Sequence, residues 1–341
     1  MTQITIIGLG LIGSSIARAA KGKYHIVGVD SNAEVLAYAL QNSIIDHAET
    51  SAAAAVKEAD IVLIATPTPL LEGICKQIAL SLKPHALVMD TGSVKRAPLS
   101  IMTENLPTHA LIVPAHPIAG SEQSGVAAGQ ADLLKDKRVI ITPKAPLSAE
   151  ELQRVSSFWK ALGGTVEAMP AEMHDVIYGY VSHLPQLLAF ACKEVVSESE
   201  NLTRFLRISH SDRALWNDIF AANADILGAA LDRYIDAISH IHRELTSAPI
   251  DAEIQKTNAD TGELFARIAA ACLATTVMEA EKKAGVPFAK FAGNGFADFV
   301  SPATTEPEKD LENISNHYAA LIPMLAGYEK ALLELRPVIP A

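Results

Sequence analysis

Two segments of the sequence place polar side chains where short apolar runs end. These segments are Asp90–Lys95 and Ala115–Glu122. In the second one, His116 lies between an apolar run and Pro117, so it cannot lie inside a helix. A histidine that follows a strand can act as a general base, although a lone histidine is more often structural. The Ser93 hydroxyl of the first segment could bond one imidazole nitrogen and aim the other at a substrate. These two segments therefore predict proton transfer.

A glycine-rich turn follows the apolar run Ile4–Ile7 and opens the helical stretch Ser14–Ala20. This is the strand–turn–helix context that the dinucleotide-binding pattern GxGxxG requires. The first glycine permits a tight turn, the second lets a pyrophosphate approach the backbone, and the third lets the helix pack closely on the strand. The phosphates would then lie on the amides at the N-terminus of the helix. The predicted phosphate-binding residues are Gly8, Gly10, Leu11, Ile12 and Gly13.

Further positions refine the predicted cofactor. Asp30 ends the next apolar run, where a carboxylate can accept hydrogen bonds from both ribose hydroxyls and would repel a 2′-phosphate. The neighbouring Ser31 and Asn32 add no arginine, so the sequence favours NAD over NADP. Thr66 and Pro67 begin a rigid loop at the carboxyl end of a later strand. In open α/β sheets, ligands bind in the crevice at this edge of the sheet. We expect this loop to contact the cofactor, and a simple surface turn is the alternative.

The elements that must position these residues change character along the chain. Residues 1–145 alternate short β-branched apolar runs with helix-like segments, which predicts a mostly parallel sheet flanked by helices. The predicted strands are Ile4–Ile7, Ile26–Val29, Ile61–Ala65, Ala86–Asp90, Leu111–Val113 and Arg138–Thr142. Beyond Pro170 the segments are long and alanine-rich, with apolar residues three and four apart. The predicted helical segments are Glu172–Glu198, Ala214–Glu244 and Ile254–Gly285. We therefore predict an α/β Rossmann-type domain over residues 1–168 and an all-α domain over residues 169–341.

Composition excludes several classes of protein. The 341 residues, of which 49% are hydrophobic and 20% charged, suit two globular domains and exclude a disordered or collagen-like chain. A net charge of −11 without a basic run argues against a nucleic-acid partner. The cysteines are far apart and lack zinc-ligand spacing, so we expect neither a disulfide framework nor a metal site. We expect a reducing, cytoplasmic location. No signal peptide and no run of about 20 apolar residues is found, so no membrane span is expected. Helices as apolar as HLPQLLAFACKEVV predict a homodimer through the helical domain.

Four segments of the sequence resemble the motifs of a known family. In order, GLGLIGSS, DTGSVK, HPIAGSEQSG and MHDVIYGYVSHLPQLLAF resemble the prephenate and arogenate dehydrogenases of tyrosine biosynthesis, over roughly residues 4–290. These enzymes have an N-terminal nucleotide-binding domain and a C-terminal helical dimerisation domain. The resemblance implies NAD-dependent oxidation of a cyclohexadiene and loss of its ring carboxylate, which gives a phenol. It also implies that His116 accepts the proton of the ring hydroxyl while Ser93 orients His116 and approaches the nicotinamide.

The same resemblance implies a set of substrate-binding residues. They are Arg207, Ser121, His183, Gln186, Glu122 and Trp216. Arg207 would bind a substrate carboxylate, and Glu122 would guard the entrance. The sequence departs from the common pattern at Gln186, where the family has a second histidine, and at Thr203 and Arg204, where an Arg-Asp pair is frequent. A neutral Gln186 accommodates the keto acid of prephenate or the amine of arogenate, so prephenate is favoured only as the commoner bacterial substrate.

Two other functions compete with this one. A β-hydroxyacid or hydroxyacyl dehydrogenase would carry a catalytic lysine or a His–Glu pair on the first interdomain helix. Here that helix holds SHLPQ and no lysine before Lys193, which argues against this class. A non-catalytic NAD-binding sensor would have lost His116 or Ser93, and both are present.

Overall fold

The computed structural model describes residues 1–120, 123–196, 202–247, 259–303 and 307–336. The chain divides into two compact units, Met1–Asp175 and Val176–Ala341.

The first unit is built on a parallel sheet of six strands. The strands are β1 Gln3–Ile7, β2 His25–Val29, β3 His47–Glu49, β4 Ile61–Ile64, β5 Leu87–Asp90 and β6 Leu111–Ile112. Their order is β3-β2-β1-β4-β5-β6, and every neighbouring pair is parallel. The predicted parallel sheet is confirmed, with strand ends shifted by a residue and with the additional short strand β3. Because the order reverses between β1 and β4, the carboxyl ends of these strands open a crevice.

A second, smaller sheet contains the last predicted strand. It consists of β7 Ala115–Pro117, β8 Arg138–Ile141 and β9 Thr165–Ala168, with β7 antiparallel and β9 parallel to β8. The run Arg138–Thr142 therefore forms a strand, but not in the large sheet as predicted. Pro114 separates β6 from β7, and it cannot donate to a ladder because it has no N–H.

Helices flank the large sheet on both faces. They are α1 Leu11–Ala20, α2 Ala33–Gln41, α3 Ala52–Ala55, α4 Leu71–Ile78, α5 Arg96–Asn105 and α6 Ala149–Ala161. The next helix, α7 Ala171–Tyr178, contains the boundary between the two units. Side chains alternate between two buried clusters, as a strand period of two requires. Ile4 and Ile6 of β1 lie in one cluster, and Ile7 lies in the other. The sheet thus has both faces covered, which leaves its carboxyl edge for ligands.

The second unit is helical, as predicted. After the π-helical segment Gly179–His183 it contains α8 Leu184–Lys193, α9 Thr203–Leu206, α10 Arg213–Ala222, α11 Ala224–Ser247, α12 Ala259–Ala284, α13 Asn294–Val300 and α14 Pro307–Leu335. Pro185 lies in the first turn of α8 directly after the π-helical segment. Because proline lacks an N–H and crowds the preceding turn, it accounts for the departure from α-helical geometry directly before α8.

One stretch among the described helices, Thr261–Ala284, is apolar and long enough to cross a membrane by length and composition alone. Within the fold, 61% of its most apolar window is buried. Phe265 and Leu273 on this helix are fully enclosed. Packing inside the second unit therefore accounts for its apolar character.

Candidate active site

A cleft of about 580 Å³ lies at the carboxyl ends of β1, β2 and β4. This volume is in the range of small-molecule and cofactor sites. The predicted cofactor residues that line it are Gly8, Gly10, Asp30, Thr66 and Pro67. The other three glycine-motif residues, Leu11, Ile12 and Gly13, form the first turn of α1. The structure thus brings the predicted cofactor residues to one edge of the sheet.

The glycines of the motif are required for different steric reasons. Gly8 has φ +93°, and a Cβ there would lie 2.6 Å from the carbonyl oxygen of Ala65. A Cβ on Gly13 would overlap the Gly8 carbonyl oxygen. At Gly10 nothing lies within 4 Å of an added Cβ, so the backbone there faces open space. Tight packing at two positions and an open approach at the third are what a pyrophosphate at a helix N-terminus needs.

Asp30 and Thr66 supply polar atoms to the cleft. Asp30 Oδ2 accepts from the Leu9 amide at 2.8 Å, and Oδ1 accepts from the Asn32 amide at 2.9 Å. A carboxylate has about four acceptor sites, so Asp30 can be held by the backbone and still accept from ribose hydroxyls. Thr66 Oγ1 is buried and bonds to nothing in the described part of the chain. Because buried polar atoms normally have partners, these residues fit a bound dinucleotide.

A buried line of hydrogen bonds leads to His116. The Nδ1 atom of His116 lies 2.8 Å from Nε2 of His174, and Nδ1 of His174 lies 2.8 Å from Oδ1 of Asp175. We call these three residues the imidazole triad. His174 and Asp175 are fully buried, and His116 is half-buried. His116 is the central residue of β7 and so lies within a short strand, whereas the sequence suggested a position after a strand end.

Asp175 acts as the acceptor at the end of the triad. Its Oδ1 accepts from the Lys95 amide at 2.7 Å, and its Oδ2 accepts from the Arg96 amide at 2.9 Å and from Arg96 Nε at 3.2 Å. These amides belong to the N-terminus of α5, where a negative charge is favoured. Because Asp175 can only accept, the proton of His174 is on Nδ1, and His174 Nε2 accepts from Nδ1–H of His116. The basic lone pair of His116 is therefore on Nε2.

The structure gives His116 a different partner from the predicted one. Among the described residues there is no hydrogen bond between the Ser93 hydroxyl and the His116 ring, and His174 lies at Nδ1 instead. Ser93 is half-buried in the loop between β5 and α5. His174 and Asp175, near the start of the predicted helical segment Glu172–Glu198, were not predicted as site residues. The only sequence signal for their role is that two adjacent polar residues occur near the start of an apolar helical segment.

Beneath this loop lies a buried ion pair. Lys95 Nζ donates to Asp90 Oδ1 at 2.6 Å, to Asp90 Oδ2 at 2.5 Å and to the Ala115 carbonyl at 2.7 Å. The Ala115 amide returns a bond to Asp90 Oδ1 at 3.2 Å. Burial raises the pKa of the Asp90 carboxyl and lowers the pKa of the Lys95 ammonium, because both lose hydration, while their mutual attraction opposes each change. The pair ties β5 to β7 next to His116.

Three predicted substrate residues lie together in the second unit. Asn223 Nδ2 donates to Nδ1 of the fully buried His183 at 3.1 Å, and the Trp216 ring meets that imidazole edge-on at 6.3 Å between centroids. Gln186 is also buried, and its Nε2 donates to the Ile208 carbonyl at 2.6 Å. Gln186 therefore holds the turn that follows Arg207. Asn223 was missed, and its only sequence signal is a polar residue between two apolar helices.

Arg207 has an acidic partner that the sequence did not indicate. Asp298 on α13 accepts from Arg204 Nε at 2.6 Å and from Arg207 Nε at 2.7 Å. Although burial acts to raise it, the two arginines hold the pKa of the Asp298 carboxyl below its ordinary value. The remaining two predicted residues, Ser121 and Glu122, lie outside the described residues.

The chain matches two family models that follow one another along the sequence. Residues 14–168 match the family model "Prephenate dehydrogenase, nucleotide-binding domain", and residues 170–258 match "Prephenate dehydrogenase, dimerization domain". The cyclohexadienyl dehydrogenase of Zymomonas mobilis is 35% identical over 72% of this chain and 89% of its own length. The prephenate dehydrogenase of Bacillus subtilis is 32% identical over 70% of this chain and 68% of its own length. The prephenate dehydrogenase of A. aeolicus, solved with hydroxyphenyl propionate and NAD+, is 32% identical, with TM-score 0.65 over 72% of this chain and 93% of that one.

Proposed function

Because the chain belongs to the prephenate dehydrogenase family, we propose that it oxidises prephenate with NAD and decarboxylates it to 4-hydroxyphenylpyruvate. The chain is a dehydrogenase, and NAD is its cofactor. The observation that carries the proposed mechanism is the imidazole triad, which lies in the same unit as the nucleotide cleft. It gives one histidine a defined basic nitrogen and a buried carboxylate behind it.

His116 is the proposed base. Its Nε2 accepts the proton of the ring hydroxyl as the hydride leaves the same carbon. NAD+ held by Gly8, Gly10 and Asp30 of the cleft would supply the hydride acceptor. The imidazolium that forms on His116 donates to His174, which is itself polarised by the Asp175 carboxylate. The resulting ring ketone draws electrons from the ring carboxylate, which leaves as carbon dioxide, and the phenolate oxygen that forms takes back the proton from His116. Aromatisation makes the step effectively irreversible, so the protein must supply orientation and the transfer of one proton to and from His116.

Arg207 is the proposed partner of a substrate carboxylate. Asp298 holds its Nε, which fixes the plane of the guanidinium, and a fixed planar fork suits bidentate recognition of a carboxylate. On the family pattern we also propose substrate contacts for His183, Trp216, Ser121 and Glu122, and a position beside the nicotinamide for Ser93.

Arogenate is the second candidate substrate. Gln186 is neutral, and its amide nitrogen is engaged by the Ile208 carbonyl, so it places no charge that would reject the ammonium of arogenate. The similarity to a cyclohexadienyl dehydrogenase over 89% of that enzyme favours testing both substrates.

The match to a dimerization domain over residues 170–258 indicates an oligomer. We propose a homodimer formed through the helical unit, with a mass of two chains by light scattering as the expected result. A chain that stays monomeric at micromolar concentration would contradict it.

The three cysteines, Cys75, Cys192 and Cys272, are free and buried, which supports a reducing cytoplasmic location.

The deciding experiment offers prephenate and arogenate with NAD and with NADP in four separate spectrophotometric assays. We expect turnover with prephenate and NAD. His116→Asn should abolish this turnover while NAD binding, followed by fluorescence, stays nearly intact. His109→Asn is the control, because His109 is an exposed histidine of the same unit whose Nε2 lies 3.2 Å from the Leu82 carbonyl oxygen. Retained turnover in His116→Asn, or no turnover in any of the four assays, would overturn the proposal.

A further inference from the structure

A second cavity, of about 370 Å³, lies within the helical unit. We call it the π-turn pocket, because Tyr180 of the π-helical segment forms one wall. Its other walls include Ile226, Ala280 and Phe288, and the Tyr180 and Phe288 rings lie 5.7 Å apart between centroids. Most of the lining is therefore apolar.

Three polar groups interrupt this apolar lining. Arg233 from α11 and Lys283 from α12 border the π-turn pocket, and neither makes an ion pair or hydrogen bond within the described ranges. The Tyr180 hydroxyl likewise bonds to no described residue. Burial raises the pKa of Tyr180, and the Arg233 charge only partly opposes this, so its hydroxyl is a donor at neutral pH. In a chain of net charge −11, two cations and a phenol without internal partners point to an anion.

We propose that the π-turn pocket binds a small aryl carboxylate. Its carboxylate would lie between Arg233, Lys283 and the Tyr180 hydroxyl, and its ring would pack on the apolar wall. The carbonyl end of α12 carries roughly half a negative charge, which two full positive charges outweigh. Apolar walls with a few convergent polar groups are the usual composition of a small-molecule site.

Tyr180, which lines the π-turn pocket, belongs to the same π-helical segment as the proposed substrate residue His183. Gly179 and His183 are the two ends of the π-helical segment that carries Tyr180. A Cβ on Gly179 would lie 2.6 Å from Ile226 Cγ2 and 3.2 Å from Nδ2 of Asn223, the amide that bonds His183. A ligand that shifts Tyr180 or Ile226 would therefore also shift Asn223, whose amide donates to His183. We infer that binding here changes the KM for substrate, a part of the proposal that rests on the proposed function.

Calorimetric titration of the full-length protein tests binding without requiring turnover. The probe is 3-phenylpropionate, and acetate and phenethylamine serve as probes that lack the ring or the negative charge. Titrations use an Arg207→Ala background, which removes the proposed carboxylate partner of the substrate. One site per chain is expected, and only 3-phenylpropionate should bind. Arg233→Gln with Lys283→Gln should weaken binding roughly ten- to hundredfold, since two charge-assisted contacts are lost.

The matched control is Lys282→Gln with Arg243→Gln, which removes two cations from the same helices outside the pocket lining. Its affinity should equal that of the background protein. Unchanged affinity in the Arg233 and Lys283 variant would overturn the proposal, as would equal binding of acetate. A variant that instead dissociates the oligomer would show that a second copy of the chain covers the pocket, which also overturns it. Binding without any effect on KM would remove the regulatory part alone.

Discussion

Replacing Asp175 by asparagine removes the charge at the buried end of the imidazole triad while keeping the size of the side chain. The carboxylate accepts from His174, Lys95 and Arg96, with donors at both oxygens. An asparagine has one acceptor oxygen, so its amide NH₂ must face donors on one side. If the NH₂ faces His174, the His174 proton moves to Nε2. His116 must then accept at Nδ1 and carry its own proton on Nε2, which removes its basic lone pair.

The size of the effect follows from these contacts. A hydrogen bond to a charged group contributes about 1.5–3 kcal/mol, which corresponds to at least a tenfold change. In a serine protease, the loss of a carboxylate that fixes an imidazole tautomer lowers turnover about 10⁴-fold. Here the carboxylate acts through a second imidazole, so we expect kcat to fall between about 10² and 10⁴. The unpaired N–H groups at the N-terminus of α5 should also cost about 1–3 kcal/mol of stability.

The assay measures kcat and KM with prephenate and NAD, NAD affinity, and the free energy of unfolding in urea. Asp60→Asn is the control, because Asp60 also accepts from a backbone amide, that of Gln3 at 2.8 Å, and from Lys83 at 2.5 Å. It should lose stability but keep its kcat. A folded Asp175→Asn enzyme with kcat within threefold of the original would refute the reasoning.

Three further substitutions test the framework of the site. Asp30→Asn should raise the KM for NAD and reduce the enzyme's preference for NAD over NADP, because the carboxylate that accepts from ribose and repels a 2′-phosphate is lost. An unchanged preference for NAD over NADP in steady-state assays would contradict this. Gly13→Ala should lower the melting temperature and NAD affinity together, because its Cβ overlaps the Gly8 carbonyl oxygen, and calorimetry showing no change would contradict the close packing. Lys95→Met should cost about 3–5 kcal/mol in urea unfolding, because it leaves Asp90 buried without its cation. A cost under 1 kcal/mol would show that Asp90 is stabilised by its other contacts.

The large sheet could be predicted from the sequence because its signals are local. Each long strand is a buried apolar run, and the glycine motif occupies one turn. The second sheet was harder to predict, since β7 spans only Ala115–Pro117 and carries the half-buried His116 at its centre. A three-residue strand has too little periodicity to distinguish it from a loop. The sequence therefore indicated His116 as the candidate base but did not predict the strand that contains it.

The partners of functional residues could not be predicted for a different reason. Fifty-eight positions separate His116 from His174, and 91 separate Arg207 from Asp298. Spacing along a helix or strand says which residues share a face, but not which distant side chain approaches that face. For Arg204 the sequence indicated a departure from the family pattern, and the structure supplies an acid from α13 that pairs with both arginines. Ser93 was assigned to His116 because adjacent strand ends suggested proximity, and the bond lies elsewhere.

The buried charges beneath the triad have a geometric role that apolar residues could not take. Lys95 contributes twice, with its amide to Asp175 and its ammonium to Asp90 and the Ala115 carbonyl. Apolar packing of the same volume often gives equal or greater stability, but it does not fix a direction. Hydrogen bonds do fix a direction. Those of Lys95 and Asp175 hold Ala115 before His116, the N-terminus of α5 and the carboxylate that bonds His174. The same lysine therefore sets the strand of the proposed base and the acceptor that defines its tautomer.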